Sequence, residues 1–529
     1  MKNQKTTNLT SAIAFALTCQ TCTAESIEVS EATDDGTGLI ENSLSWAIHQ
    51  ANINETHDII ELQTDVLLTG VMKRLIDSDV TIESSGARKH INGNQQFRPL
   101  FIKSGQVTIN NVDIIDGSAI GGNSSKGGAG AGLGGGLFIY DGQVKLNNIT
   151  FDNNQSKGGL INQSNIQGGG GMFGRGNYYG GGGLFGDAIG NYVNGGYGGY
   201  GNYRDNDPHF GGGGGYAPPP YVGGFGGGGS FSYNFYGNRG GFGGGGGSTY
   251  ADSPNFAGGN GGFGAGGGLS QKYNNHGEAG FAATNQNAAG LGGAVFIRSG
   301  QLVMSDVVIQ NNHSLSSGQA QGLGGGMFIL HNLNNSNSNN QGMPDKLPRV
   351  FACGMQYIDN SADSDDNSLH NNNNIYDSAA RLVSTQGGSE MNACLHEQEI
   401  LVSGNNVNIS SGDDTPNTED NTDFGTAVFV YQTISKTFKI KNSGNSLLIL
   451  NKIELINDTR DPFKIVSDLT TDHLHPNEST NFRIKFTPNQ LFSESHGLIN
   501  IKSNAPNQNY NFEIKGRSVH DFIFRDHFE

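Results

Sequence analysis

One phrase of alternating apolar and polar positions recurs along the chain. Its fullest copy, residues 132–154 (GLGGGLFIYDGQVKLNNITFDNN), passes from glycines through Phe138 and Ile139 to a turn and an alternating run. Period-two alternation places every second side chain on the same face of a strand. The phrase therefore predicts a β-strand with one buried face. The apolar positions of the run are Val144, Leu146, Ile149 and Phe151.

Further copies begin near residues 101, 290 and 322. When the copies are aligned, Phe101, Phe138, Phe296 and Phe328 coincide, with steps of 37, 158 and 32 residues. Steps in the thirties are typical of solenoids, in which each repeat packs on its neighbours. The repeats therefore predict a parallel β-helix. The alternative, a β-sandwich of repetitive hairpins, fits the near-constant spacing less well.

Paired asparagines follow the alternating run. Asn110-Asn111 and Asn147-Asn148 occupy equivalent positions in two copies, and Ser305-Asp306 replaces them in a later copy. Identical amides in stacked parallel strands form hydrogen-bonded ladders. We expect such a ladder here, with an imperfection at Asp306.

The 158-residue step contains a glycine-rich insertion at about 157–289. The whole chain has 84 glycines in 529 residues, well above the usual share of about 7%. Such a segment is expected to bury too little surface to offset its backbone entropy, which predicts a disordered or loosely extended loop. A solubilising spacer is the favoured interpretation, and an adhesive loop that binds through its tyrosines is the alternative. The tyrosines singled out are Tyr178, Tyr179, Tyr216 and Tyr221.

The N-terminus has the pattern of a secretory signal peptide over residues 1–24. Lys2 and Lys5 precede a short apolar stretch at 9–17, and small residues end the segment. The net charge of −17 becomes 29 − 48 = −19 without its two lysines. An acidic chain with no basic patch argues against nucleic-acid binding. The sequence therefore predicts a secreted or cell-surface protein.

Two cysteines, Cys353 and Cys394, lie outside the predicted signal peptide. A disulfide is expected in an oxidising compartment, where it would stabilise the fold by roughly 2–4 kcal/mol. Free thiols are the alternative, and a metal site would need more ligands than His396 adds. No cofactor is predicted.

Residues 25–62 predict a cap for the first repeat, because an open solenoid end exposes unpaired backbone. They combine a short strand, a turn and a short helix. With DDG at 34–36, SLSWAI at 43–48, AN at 51–52 and DII at 58–60, the segment resembles the N-terminal cap of bacterial secreted right-handed parallel β-helix proteins. It departs from that cap at Ser45, where those proteins usually have arginine. Trp46 is expected to pack in the cap. The predicted buried helix face is Leu44, Ala47, Ile48 and Ala51.

The repeats resemble the GGA[I/L/V] and F-x-x-N motifs of the polymorphic outer-membrane proteins and related β-helical adhesins. The first motif matches at 135–137, 292–295 and 325–327, and the second at 151–154. The resemblance implies a right-handed parallel β-helix over residues 25–397 and an adhesin-like role at the bacterial surface.

Residues 398–519 change character. Alternating strands near 438–440, 448–450, 482–486 and 498–502 are separated by turn signals, as in an all-β sandwich. TFKIKNSGNSLLIL and HPNESTNFRIKFTP resemble the immunoglobulin-like choice-of-anchor D or Hydin-type modules, which implies binding or spacing. The tail, 520–529, resembles the I-F-x-D-x-F-E endings of some secreted gammaproteobacterial proteins; a sorting tag and a frayed end are the two interpretations.

Candidate chemistry is sparse. Pectin hydrolases with a β-helix use clustered aspartates, a glycine-flanked histidine and an R-I-K motif. Residues 421–423 (NTD) and 483–485 (RIK) resemble two of these motifs. Both, however, fall in the predicted sandwich and not in the predicted β-helix. Asp306 and His313 are isolated. Calcium binding at Asp363, Asp365 and Asp366 is the alternative to a solvated turn, which we predict.

These patterns favour a non-catalytic adhesion or structural protein, with no catalytic, cofactor-binding or metal residue assigned. Its expected partner is an extracellular glycan, matrix component or host-surface ligand. One alternative is a carbohydrate-active β-helix enzyme with an atypical site, and another is a self-associating matrix protein.

Overall fold

Almost all the regular structure is β-strand, and many of the strands pair in parallel. A computed structural model describes residues 26–54, 56–161, 166–189, 210–215, 222–385, 399–428, 431–444, 447–457, 462–467, 469–490, 492–505 and 509–519. The all-β class with parallel sheets is confirmed. Within these ranges no helix is long and apolar enough to cross a membrane.

Two compact units divide the described residues. The first takes those up to 302, 309–349 and 357–379, and the second takes 303–308, 350–356 and those from 380 onward. The elements up to residue 385 are β1 Ser26–Val29, β2 Thr33–Asp34, α1 Leu44–Ile53, β3 Asp58–Leu62, β4 Val66–Leu68, β5 Ile76–Asp77, β6 Val80–Ser84, β7 Lys89–Asn92, β8 Leu100–Ser104, β9 Gln106–Asn110, β10 Val112–Ile115, β11 Ser118–Ile120, β12 Gly132–Leu133, β13 Leu137–Ile139, β14 Gln143–Asp152, β15 Gln155–Lys157, β16 Gly290–Leu291, β17 Val295–Ile297, β18 Gln301–Gln310, β19 His313–Leu315, β20 Gly322–Leu323, β21 Met327–Ile329, β22 Arg349–Cys353, β23 Gln356–Ile358, β24 Ser361–Ala362, β25 Ile375–Tyr376 and β26 Leu382–Thr385.

In the first unit, successive repeats stack strand on strand in parallel register. Equivalent strands form sheets in the orders β25-β21-β17-β13-β8-β5, β11-β15-β19-β24 and β12-β16-β20. β13 pairs with β17 so that Phe138 faces Phe296, although their positions are far apart in the sequence. In β14, Val144 and Leu146 are buried, and so are Ile149 and Phe151 after a shift of one residue in the alternation. The shift occurs at Asn148, whose backbone has a left-handed φ of 54°.

The aligned aromatic residues form a stacked column, the first aromatic column. From Phe101 through Phe138, Phe296 and Phe328 to Tyr376, successive ring centroids lie 4.7, 5.1, 5.0 and 4.9 Å apart. Stacked aromatic pairs add stabilisation beyond the area they bury. The in-register repeat thus places its largest side chains one above another.

Amide ladders run alongside the strands. Asn147 Nδ2 donates to Asn110 Oδ1 over 2.9 Å, and Asn148 Nδ2 donates to Asn111 Oδ1 over 3.0 Å, which confirms the predicted pairing. Asp306 Oδ1 is buried without a hydrogen-bond partner, and desolvation raises the pKa of that carboxyl group.

A second amide ladder lies inside the first unit. Asn154 Nδ2 donates to Asn312 Oδ1 and Asn312 Nδ2 donates to Asn360 Oδ1, each over 2.9 Å. All three side chains are buried. Each amide satisfies its neighbour, so the polar atoms are stable in the interior.

The segment 26–62 contains the predicted helix. Ser43 is its N-cap, with Trp46 N donating to Ser43 Oγ over 3.3 Å. Ser45, at the position where the resembled caps have arginine, donates through its hydroxyl to Asp34 Oδ1 over 2.6 Å. Burial raises the pKa of Asp34. Trp46 is half-buried, and the predicted face of Leu44, Ala47, Ile48 and Ala51 is buried.

The glycine-rich insertion is ordered over its described parts, so the prediction of a disordered loop is wrong for them. Gly245 and Ser248, three residues apart, both donate to the segment 167–170, each over 2.8 Å. Between them, Gly246 and Gly247 donate to two other segments. A hydrogen-bond direction that repeats every three residues is the period of a polyproline II helix. The glycine-rich segments within 166–189, 210–215 and 222–289 form what we call the glycine bundle.

The absence of Cβ atoms allows these segments to approach each other. A Cβ atom on Gly245 would lie 1.9 Å from the carbonyl oxygen of Gly128. Because the segments are so close, their N–H groups reach carbonyls on neighbouring segments, although the polyproline II conformation provides no internal hydrogen bonds. The segments are ordered although they have few apolar side chains, because these hydrogen bonds help to offset the lost backbone entropy.

Phenylalanines at one end of the bundle form a second aromatic column. Phe225, Phe242 and Phe263 are each followed by a glycine with φ of 75°, 73° and 77°, a conformation that suits glycine. Phe242 and Phe263 contact Phe296 of the first column edge to face, at 6.1 and 6.2 Å between centroids. From Phe210 through Phe225, Phe242 and Phe263 to Phe281, the centroid spacings are 5.1, 5.2, 5.0 and 5.2 Å.

The second unit contains β22 paired in parallel with β26, together with a sandwich of two sheets. Phe438 and Phe512, from opposite sheets, pack with ring centroids 5.5 Å apart. The sheet orders are β28-β27-β30-β34-β32 and β29-β36-β35-β31-β33, built from β27 Ile400–Gly404, β28 Val407–Ile409, β29 Asp423–Ala427, β30 Ile434–Asn442, β31 Leu448–Asn457, β32 Phe463–Ser467, β33 His473–Leu474, β34 Ser479–Phe486, β35 Glu494–Ser503 and β36 Asn509–Ser518.

Substitution of Gly245 by alanine is expected to lower the free energy of unfolding by about 1–3 kcal/mol, because the new methyl group overlaps a backbone carbonyl that cannot move independently. Gly497→Ala is the matched control, since its Cβ atom would meet side-chain atoms no closer than 3.2 Å. Thermal unfolding by calorimetry measures both variants. Equal stability of the two would contradict the close packing of the bundle.

Asn312→Ala is expected to destabilise the protein by about 1–3 kcal/mol, since it leaves buried amide groups of Asn154 and Asn360 without their partner. Asn147→Ala removes the equivalent bond from the half-buried ladder, where water replaces the lost amide. Chemical denaturation should therefore show a clearly smaller effect for Asn147. A larger loss at Asn147 would refute the assigned role of the interior ladder.

Candidate binding surface

Four turns of the glycine bundle lie side by side and form what we call the tip surface. They are residues 177–180, 230–236, 248–256 and 269–275. Phe231 N donates to Tyr179 O over 2.8 Å, Tyr250 N to Ser232 O over 3.0 Å, and Gln271 N to Thr249 O over 2.9 Å. These backbone bonds fix the four turns relative to one another.

The tip surface lies at the other end of the glycine segments from the second aromatic column. The segment from Gly244 to Ser248 illustrates the separation, since polyproline II geometry gives it a length of roughly 12 Å. Phe242 is fully buried, whereas Tyr236 at the tips is 57% exposed. Aromatic side chains therefore serve as core at one end and as surface at the other.

Two aromatic clusters occupy the tip surface. In one, Tyr236 and Phe256 pack at 4.9 Å between centroids with ring planes at 89°, and Phe235 lies 6.3 Å from Phe256. In the other, Tyr178 and Tyr179 pack with Phe231 and Tyr233. The exposed fractions are 40% for Tyr233, 64% for Phe235, 50% for Tyr250 and 39% for Tyr273.

The tip surface carries no net charge. Its four turns contain one acidic and one basic residue, Asp252 and Lys272, and these form an ion pair. The hydrogen bond to Asp252 raises the pKa of Lys272, which therefore stays protonated. A hydrogen bond with Tyr179 raises the pKa of Tyr233, so this phenol is neutral at physiological pH. Aromatic rings and neutral polar groups thus dominate the surface.

A small cavity in the first unit lies beside Arg98 and Ser118. Its volume is about 20 Å³, which is room for a single water. Arg98 donates to Gly134 O over 2.8 Å and to Leu133 O over 2.7 Å, and burial lowers its pKa to about 10. Ser118 Oγ is buried without a hydrogen-bond partner. The cavity suits a bound water rather than an organic ligand.

Two of the three acidic residues considered for calcium, Asp363 and Asp366, accept hydrogen bonds from nearby groups of the chain. Asp363 Oδ2 accepts from Ser316 N over 2.9 Å, and Asp366 Oδ1 accepts from Ser368 N over 3.0 Å. Hydrogen bonds from Ser368 lower the pKa of Asp366. Among the residues with described positions, no three His, Cys, Asp or Glu side chains form a group that could hold a metal ion.

The two motifs shared with pectin hydrolases lie on different sheets of the sandwich. Arg483 on β34 points outward between the buried Phe482 and Ile484, as its alternating strand predicts. Asp423 on β29 forms an ion pair with Lys515 at 3.3 Å. In the first unit, His313 Nδ1 contacts Ser361 Oγ at 2.8 Å. Arg483, Asp423 and His313 thus lie on three different strands, β34, β29 and β19.

Cys353 is disulfide-bonded. Its predicted partner Cys394 lies outside the described residues, as do His396, Tyr216 and Tyr221. The same holds for the predicted signal peptide 1–24 and for the tail 520–529. Those assignments remain predictions.

Sequence reasoning found Tyr178 and Tyr179 but missed Phe235, Tyr236 and Phe256. A partial signal was available. Phe225, Phe242 and Phe263 each stand between glycines and are buried, whereas 231–236 (FSYNFY) is a spacer without glycine that contains exposed rings such as Phe235. The same spacer also contains the buried Phe231, so it predicts a turn but not which of its rings are exposed.

The two ends of the bundle should respond differently to substitution. Phe242→Ala is expected to lower the free energy of unfolding by about 3–5 kcal/mol, because it leaves a cavity in the second aromatic column. Tyr236→Ala, at an exposed site, should change it by no more than about 0.5 kcal/mol. Calorimetry compares the two, and a similar loss in both would contradict the assignment of Tyr236 to the surface.

No family model and no curated protein matches this chain. Among solved structures it is similar to the secreted serine protease VesC from Vibrio cholerae, with 15% identity over 18% of this chain and 21% of that chain and a TM-score of 0.16. It is also similar to a protein of unknown function from Porphyromonas gingivalis W83, with 18% identity over 26% of this chain and 53% of that chain and a TM-score of 0.17. The chain thus spans about a fifth and about half of these two proteins, and likenesses this slight carry no argument about its function.

Proposed function

We propose that this protein is a secreted or cell-surface adhesion protein of a bacterium, without catalytic activity, that binds its ligand at the tip surface. The observation that carries the proposal is the group of exposed aromatic side chains on the turns of an ordered bundle. Clustered exposed apolar groups on a soluble protein mark interaction sites. Aromatic rings also dominate the energetics of binding interfaces.

Rigid attachment favours binding at these turns. The hydrogen-bonded glycine segments hold the turns in place before a ligand arrives, which reduces the entropy lost on binding. The turns combine Tyr and Phe with Ser, Asn and Gly, as in 230–236 (SFSYNFY). Antibody loops use a similar mixture, in which aromatic rings supply contact area and small polar residues supply adaptable hydrogen bonds.

For the scaffold, we propose a right-handed parallel β-helix in the stacked repeats and an immunoglobulin-like module in the C-terminal sandwich. Support for the first comes from the parallel register of equivalent strands in several sheets. Support for the second comes from two five-stranded sheets with a shared apolar core. A β-helix can carry a long insertion between two of its strands without disturbing its core. It is therefore a suitable support for a binding bundle.

An extracellular location accounts for two further features. The first 24 residues have the pattern of a secretory signal, and the disulfide bond of Cys353 is of a kind that persists in oxidising compartments. We propose Cys394 as the partner of Cys353. An anionic, weakly charged surface suits an extracellular protein whose specificity does not depend on long-range electrostatics.

Binding of the purified mature chain to a panel of bacterial and animal cell surfaces tests the proposal. The triple variant Phe235→Ser, Tyr236→Ser, Phe256→Ser is expected to lose binding by roughly ten-fold or more, because it removes the aromatic anchors. The double variant Tyr431→Ser, Phe492→Ser removes two exposed aromatic residues of the second unit and should bind normally.

Two results would overturn the proposal. Equal binding by the triple variant and the wild type would show that the tip surface is not the binding site. Turnover of a polysaccharide by the wild-type chain, lost when an acidic residue of the repeats is replaced, would favour the carbohydrate-active enzyme.

A further inference from the structure

We infer that the ligand of the tip surface is an uncharged glycan, whose sugar rings pack against Phe235, Tyr236 and Phe256. This inference rests on the proposed adhesive function and specifies the chemical class of its ligand. It follows from the geometry of the three rings, the polar groups around them and the charge of the surface.

The rings form a corner rather than a flat patch. The planes of Tyr236 and Phe256 meet at 89° with centroids 4.9 Å apart, and Phe235 stands at 69° to Phe256. Tyr236 and Phe235 are 57% and 64% exposed, so ring surface is available to a ligand. A sugar ring has C–H groups on its faces, and their partial positive charge complements the electron-rich face of an aromatic ring.

Neutral polar groups surround the corner. Asn234 and Asn255 flank the aromatic residues in their own turns, and both are exposed. An amide side chain offers a donor and an acceptor together, which matches a hydroxyl group that both donates and accepts. The corner therefore combines apolar faces with a polar rim, the same division that a sugar ring has between its faces and its edge.

The absence of net charge on the tip surface argues against polyanionic ligands. Asp252 and Lys272 are the two charged residues of the tip turns, and they neutralise each other. A polyanion such as a nucleic acid, a sulfated glycan or an anionic lipid surface needs an excess of basic side chains. The tip surface provides none.

A folded protein partner fits the surface less well. Stable protein interfaces have a continuous apolar centre with about 800 Å² buried on each partner. Here polar residues interrupt the aromatic ones, as Asn234 does between Tyr233 and Phe235. Two small aromatic clusters with polar surroundings suit consecutive sugar units.

Isothermal titration of the mature chain with neutral hexasaccharides tests the inference. The probes are maltohexaose, cellohexaose, xylohexaose and chitohexaose, with heparin and polygalacturonate as charged comparisons. At least one neutral probe should bind, with the same affinity in 0.1 and 0.5 M salt, because screening has no charge–charge attraction to weaken. The charged polymers should not bind better than the neutral probes.

Variants assign the binding to the corner. Tyr236→Ser with Phe256→Ser should weaken the affinity by about five-fold or more, whereas Tyr236→Trp should preserve or strengthen it, because it retains an aromatic face. The control Tyr431→Ser with Phe492→Ser should bind as the wild type does. Calorimetric unfolding of each variant confirms that the corner variants remain folded.

The outcomes separate this inference from the proposed function. Salt-sensitive binding of the charged polymers alone would overturn the inference that the ligand is uncharged. If the corner variant loses cell binding while no neutral probe binds, and protease treatment of the cells abolishes binding, the ligand is a protein and the inference is wrong although the adhesive function stands. If neither cells nor glycans depend on the corner, both proposals fail.

Discussion

The close approach of glycine backbones is the constraint on which the first unit depends. A side chain at positions such as Gly245 would overlap a neighbouring carbonyl, so the segments approach only because the Cβ atom is absent. At that separation the backbone groups of each segment bond to several neighbours, and a sequence with few apolar residues becomes ordered. The stability of the bundle therefore comes from satisfied backbone groups together with one edge of buried rings.

Aromatic packing connects this bundle to the stacked repeats. The first aromatic column follows from the repeats themselves, since in-register strands place Phe138 on Phe296. The second column meets it edge to face through Phe242 and Phe263. Edge-to-face and stacked arrangements are both favourable for aromatic rings. One end of the bundle is thereby anchored in the core, and the turns at the other end are left to face solvent as a fixed group.

Much of the scaffold could be predicted from the sequence. The alternation in β14, the amide pair Asn147-Asn148, the buried face of α1 and the outward Arg483 all follow from residue spacing within one element. A repeated phrase also predicts which residues stack, because equivalent positions face each other in parallel register. These features are local or follow from one repeat rule, so the order of residues is sufficient to derive them.

The glycine bundle and its surface were decided by tertiary structure. Successive N–H groups of 245–248 bond to three separate segments, and no sequence pattern within those four residues specifies which segments they meet. The same applies to Phe242 and Tyr236, two aromatic residues from one glycine-rich stretch, of which one is core and the other surface. By itself the sequence determined the strands, their repeat and the places where a side chain is absent. Only the packing of distant segments decided that those places are filled by backbone, because a hydrogen bond between two glycines depends on where both chains run.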